Sequence, residues 1–139
     1  MRRFFFAACL LASAARLAAQ PPLNLPPEVR AHLPSDLRPY FLALLVRPAT
    51  APPMAQALFI RHQDYVRGRL EAGVYHVIGP LTDDGRLRGL VILSAASAEA
   101  ARAIVAADPL VQAGLVEVEI HPAVFPSLEG LRVAYPPRP

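Results

Sequence analysis

Few side chains in this 139-residue sequence are chemically promising, and two of them stand out by position. The first is His62, in the stretch FIRHQDYVRGRLEAG at residues 59–73. Leu58, Tyr65, Val66 and Leu70 recur at helical spacing and form one apolar stripe, and His62 sits in its middle, where a leucine would pack better. The second is Asp108, followed by Pro109. Read as the end of a second helix, this carboxylate lies at a partially negative helix terminus, at a cost of about 0.3–1 kcal/mol. An imidazolium or a bound ligand nearby would offset that cost. If the two helices run antiparallel, the end of the second lies beside the first half of the first, and the two residues can meet. The aspartate would then accept from one ring nitrogen and leave the other to take or give a proton. The competing reading makes His62 a satisfied core histidine and Asp-Pro an ordinary helix terminator.

Other candidates follow from the strands. His76 shares a strand face with Val74 and Ile78, so it either packs or lines a pocket or dimer seam. Gly79-Pro80 ends that strand and is expected to shape a pocket wall. His121 stands at a strand end beside Glu119, and two ligands do not make a metal site. Asp83 and Asp84 read as turn chemistry rather than paired acids, and Ser94 has no visible base partner. His32 reads as a solvated surface residue. GVYHVIG lacks the glycine pattern of a phosphate loop.

The elements that must position these residues can be read in order. PEVRAHL carries one helical turn within an exposed, proline-punctuated leader at 20–39. YFLALLVRP (40–48) is a short, apolar strand ended by proline. Pro52 and Pro53 suit a helix start, and the helix runs to about Ala72, where Gly73 fits a left-handed cap. VYHVIGP (74–80) and RGLVILS (88–94) are strands. Asp84-Gly85 between them is a signal for a type I′ hairpin turn. Ser97 can cap the second helix, AEAARAIVAA. LVEVEIHP (115–122) alternates, with Val116, Val118 and Ile120 on one face and Glu117, Glu119 and His121 on the other. The order is β-α-β-β-α-β. Right-handed crossovers fold this into an α+β, split β-α-β sheet with two helices on one face. The other face carries apolar side chains that need cover. The expected remedy is a homodimer stacked sheet to sheet.

The ends of the chain add a location. MRRFFFAACLLASAARLAAQ has a basic n-region, a short apolar run and a small-residue site most simply cut after Ala19, the layout of a secretory signal peptide at 1–19. The run is too short for a stable membrane span. The mature chain is therefore expected to be periplasmic or secreted. Cys9, the single cysteine, lies in this run, so the mature chain has no thiol for disulfides, nucleophilic catalysis or metal. The formal charge of +3 falls to near neutral without Arg2, Arg3 and Arg16, which leaves no nucleic-acid footprint. The 54% apolar and 18% charged composition is that of a folded domain. A proline-rich tail follows at 126–139.

From Tyr40 to Pro122 the ordered set of pieces resembles a YciI-like protein of the YCII-related domain family. These are His62 in the first helix, LEAGVYHVIGPLTDDG, GLVILSAASAEAARAIVAADPLVQAGL, and the closing strand before His121-Pro122. The resemblance implies a domain at 40–125 with a ferredoxin-like fold, a dimeric α+β barrel related in shape to muconolactone isomerases. It also implies a pocket lined by a histidine and an aspartate with a proposed catalytic role. The export signal, the leader and the tail depart from that pattern.

Three readings follow. The first is a small-molecule enzyme of lyase, isomerase or hydrolase type, with His62 and Asp108 moving protons and Gly79, Pro80 and His76 holding substrate. No metal cluster or cofactor motif accompanies them, so acid–base chemistry without a cofactor is expected. The second is a non-catalytic module holding a small ligand in the same pocket. The third is a structural dimer that uses its proline-rich ends.

Overall fold

The computed structural model describes residues 25–135. The expected signal peptide and Cys9 lie outside the described residues. The elements run α1 (Pro27–Arg30), β1 (Leu37–Val46), α2 (Gln56–Glu71), β2 (Tyr75–Pro80), β3 (Leu87–Leu93), α3 (Ala98–Ala106), α4 (Pro109–Gln112) and β4 (Glu117–Pro126). The four strands form one sheet in the order β2-β3-β1-β4, with every neighbouring pair antiparallel. This is the ferredoxin-like α+β fold expected from the sequence, with α2 and α3 as its two crossovers. Among the described residues no helix is long and apolar enough to cross a membrane.

Strand alternation divides the sheet into two faces. Phe41, Ala43, Val91 and Leu93 point to the helices. There they pack with Tyr75 from β2 and with Ala101 and Val105 from α3, all at most 5% exposed. Leu42, Leu44, Leu90 and Ile92 alternate onto the opposite face and are half-buried. Tyr40 also lies on that opposite face yet is buried, and its hydroxyl accepts from the Leu128 N–H at 2.8 Å. The chain after β4 therefore turns back over one end of this face.

Several local features differ from the sequence reading. β1 begins at Leu37, three residues before Tyr40, and β4 runs to Pro126, so His121 lies within a strand rather than at its end. Pro122 and Pro126 are tolerated because β4 is an edge strand. α2 starts at Gln56, three residues after Pro53, with no side-chain cap. Its end is as expected: Gly73 has φ of 67°, its N–H donates to Leu70 O at 3.0 Å, and the Val74 N–H donates to Arg69 O at 3.0 Å. The β2–β3 connection is not a type I′ turn, because Gly85 does not have positive φ. The Leu81 N–H still pairs with Arg88 O at 2.9 Å, and residues 81–86 make a wider loop. A Cβ on Gly85 would lie 2.7 Å from an Asp83 carboxylate oxygen, the movable end of an exposed side chain.

Candidate functional site

α2 presents His62 and Val66 as its buried side chains. A short stretch after α3 brings Asp108 to them. α3 ends at Ala106, and Asp108 begins a separate helix rather than ending the second one. Its side chain caps α4, with Oδ1 accepting from the Leu110 N–H at 2.8 Å. This corrects the electrostatic expectation: the carboxylate sits at the favourable end of a helix, not the unfavourable one. Pro109 at the first helical position is what restarts the helix, since its missing N–H has no partner to lose there.

The two residues meet. His62 Nδ1 lies 2.8 Å from Asp108 Oδ2 and 2.9 Å from Oδ1, with the two residues 8% and 5% exposed. A carboxylate can only accept, so Nδ1 carries the hydrogen, and in the neutral imidazole the lone pair is on Nε2. Behind the pair stands a layer of aromatic and cationic side chains. The Tyr65 hydroxyl donates to Ile104 O and ties α2 to α3. The Tyr65 and Tyr75 rings meet edge to face at 6.4 Å, and the Arg69 guanidinium lies 5.0 Å over the Tyr65 ring. The Tyr75 hydroxyl and Arg69 Nε are buried without hydrogen-bond partners among the described residues. Burial raises the pKa of both tyrosines, and the neighbouring Asp108 carboxylate pushes in the same direction.

His62 opens onto a cavity of about 770 Å³ between α2, the β2–β3 end of the sheet, the segment around α4 and the C-terminal residues 131–135. Its walls are mainly apolar, with Leu45, Val66, Leu70, Leu110 and Leu115 among them. Gly79, Pro80 and His76 also line it, whereas Asp108 does not and stands behind His62. Phe59 lies at the rim, 5.9 Å from the His62 ring. Tyr135 comes from the far end of the chain and receives the Arg67 guanidinium over its ring at 4.8 Å.

The wall by β2 depends on Gly89. A Cβ on Gly89 would meet Gly79 O at 2.7 Å, so only glycine lets β3 approach β2 this closely. The β2–β3 register shifts at His76, between Tyr75 and Val77. There His76 places Nε2 2.7 Å from Ser94 Oγ and its ring edge-on to Tyr40 at 5.0 Å. The expectation that Ser94 lacks a base partner is thus overturned. Strand alternation puts both residues on the face away from the helices, with Ile92 and Tyr40, so the pairing of β2 with β3 brings them together. His121 and Glu119 stand 4.0 Å apart, and Glu119 is held by Arg86 at 3.1 Å. Among the described residues no three His, Cys, Asp or Glu side chains are grouped to hold a metal ion. The residues that sequence reasoning missed are the arginines of the wall, Arg47, Arg88 and Arg132, which lie outside the matched pieces or in the tail.

None of the curated proteins matches the chain. Among solved structures it is similar to 5-chloro-2-hydroxyhydroquinone dehydrochlorinase (TftG) from Burkholderia phenoliruptrix AC1100, in its complex with 2,5-dihydroxybenzoquinone. The identity is 22%, 59% of this chain and 90% of that one are covered, and the TM-score is 0.43. The family model of the YCII-related domain matches residues 40–123, which hold both His62 and Asp108. The chain belongs to the YCII-related domain family.

Proposed function

We propose that this protein is an acid–base enzyme acting on a small molecule, with His62 as the proton-transferring group and Asp108 as the residue that orients it. The observation that carries this reading is the buried His62–Asp108 pair, with Nδ1 held by the carboxylate and His62 lining the cavity. In the reaction, Nε2 accepts a proton from a substrate carbon or hydroxyl. The Asp108 carboxylate then stabilises the imidazolium. Return of the proton to a second atom of the substrate is an isomerisation, and its delivery to a departing group is an elimination. Gly79, Pro80 and His76 are assigned to substrate contact.

The test has two steps. A thermal-melting screen of small organic molecules finds what the cavity holds. The hits are then incubated in D2O with wild type and with His62→Gln. Deuterium incorporated by wild type and lost in His62→Gln, with binding retained, supports the enzyme. Tight binding with no exchange and no turnover makes the protein a binding module.

Two further proposals concern its setting. Export with cleavage near Ala19 is supported by the basic, apolar and small-residue order of residues 1–19. Intact mass of periplasmic protein tests it, and a full-length cytoplasmic species as the sole product would exclude it. A homodimer is supported by the half-buried Leu42, Leu44, Leu90 and Ile92 on the face away from the helices. Light scattering at micromolar concentration should give twice the chain mass, and a strict monomer would leave the segment after β4 as the cover of that face.

A further inference from the structure

The charge of the cavity is one-sided. Arg47, Arg88 and Arg132 line it, and no aspartate or glutamate does. Two of the three come from adjacent strands at one end of the sheet. β1 closes at Val46 opposite Leu87, and the Arg47 N–H donates to Arg86 O at 2.8 Å, which sets Arg47 beside the start of β3 where Arg88 lies. Arg132 comes in from the C-terminal segment. Arg67 and Arg86 each have a glutamate partner, but among the described residues Arg47, Arg88 and Arg132 have none. Arg88 is half-buried and lines this wall without a counter-charge. An uncompensated cation beside apolar surface favours an anion that brings an apolar body with it.

We propose that the cavity takes an organic carboxylate, with the acid group on Arg88, Arg47 and Arg132 flanking it, and an apolar body against Val66, Leu110 and Leu115. This rests on the reading that His62 works on a small molecule in the same cavity. A carboxylate is favoured over a phosphate by the wall itself. The guanidinium fork matches the two oxygens of a planar carboxylate. Phosphate sites add backbone N–H groups from a glycine-rich turn ahead of a helix. Here the two wall glycines, Gly79 and Gly89, are held in the paired strands β2 and β3.

The test is calorimetric titration of the purified protein with 4-phenylbutyrate, its primary amide and phenyl phosphate. The carboxylate should bind at least about tenfold more tightly than the amide, the loss expected when a charge-assisted hydrogen bond is removed. Arg88→Gln should weaken the carboxylate by about tenfold and leave the amide unchanged, and Arg88→Lys should recover part of the loss. His62→Gln should leave carboxylate affinity nearly unchanged. Equal binding of carboxylate and amide, tighter binding of phenyl phosphate, or no binding of the carboxylate overturns the proposal. The two readings fail separately. Arg88-dependent carboxylate binding without His62-dependent deuterium exchange leaves the ligand class and removes the enzyme. Exchange on a neutral ligand, insensitive to Arg88→Gln, leaves the enzyme and removes the ligand class.

Discussion

Asp108 serves two partners with one carboxylate: it receives the His62 Nδ1–H at 2.8 Å and the Leu110 N–H at 2.8 Å. The first contact spans 46 residues and joins α2 to the segment after α3, and the second begins α4. The imidazole is thus fixed by a group that is itself fixed by backbone. The same arrangement serves catalysis and structure, so single substitutions have to be read with both roles in view.

The His62–Asp108 pair should show strong coupling. His62→Leu leaves a 5%-exposed carboxylate with one of its two partners gone, and a cost of about 1–3 kcal/mol is expected. Adding Asp108→Asn removes the stranded charge and should recover part of it. Urea denaturation of the two single variants and the double variant gives the coupling energy. A value within error of zero would mean that the contact contributes nothing to folding.

The cap can be separated from the pair. Asp108→Asn keeps an oxygen for the Leu110 N–H, whereas Asp108→Ala loses both contacts. In a His62→Leu background the imidazole contact is already absent. There the alanine variant should still be less stable than the asparagine variant by about 1 kcal/mol, the usual worth of an N-cap. Equal stabilities would show that α4 does not depend on this cap.

How much of this was legible in the sequence depends on the range of the signal. The β-α-β-β-α-β order was readable because strand and helix periods are local, and Gly73 and Ser97 mark helix ends by their own chemistry. The meeting of His62 and Asp108 was accessible because antiparallel crossover helices leave few ways to place the second beside the first. The role of Asp108 was misread because a four-residue helix has no periodicity to detect, although Pro109 at its first position is a start signal. Gly85 was misread because Asp-Gly suits a two-residue turn, whereas the chain here closes a longer loop with no positive φ at Gly85. The His76–Ser94 contact depends on the pairing of β2 with β3, and the cavity arginines are brought together from the end of β1, from β3 and from the tail. Neither arrangement leaves a local pattern.

Gly89 should resist substitution although no positive φ is involved. A methyl group there would stand 2.7 Å from Gly79 O, which belongs to the paired strand and cannot move alone. Gly89→Ala is expected to cost about 1–3 kcal/mol, the range for overpacking, and to disturb the wall formed by Gly79 and Pro80. Gly79→Ala meets nothing within 4 Å, so it should be tolerated far better. Thermal melting of both variants checks the asymmetry, and equal losses would contradict the close-approach argument.

Tyr75 predicts a loss of stability in alkali. Its ring is 2% exposed, its hydroxyl has no hydrogen-bond partner among the described residues, and burial holds its pKa above the usual 10.0. Below pH 10 the tyrosine is protonated in both folded and unfolded chains, and it adds no pH dependence. Above the unfolded value the unfolded chain releases the proton while the folded one keeps it. Stability then falls as pH rises, at a limiting slope of about 1.4 kcal/mol per pH unit for the group. Tyr65 is raised for the same principal reason, burial, and adds to the trend. Tyr75→Phe removes one titrating group together with a buried hydroxyl that has nothing to bond. At pH 7 it should therefore be neutral or stabilising. Between pH 10 and 11.5 its stability should fall less steeply than that of wild type, with the Tyr65 contribution left in place. Urea midpoints measured at half-unit steps across that window give the two slopes. Parallel slopes for wild type and Tyr75→Phe would show that the Tyr75 hydroxyl ionises as easily in the folded chain as in the unfolded one.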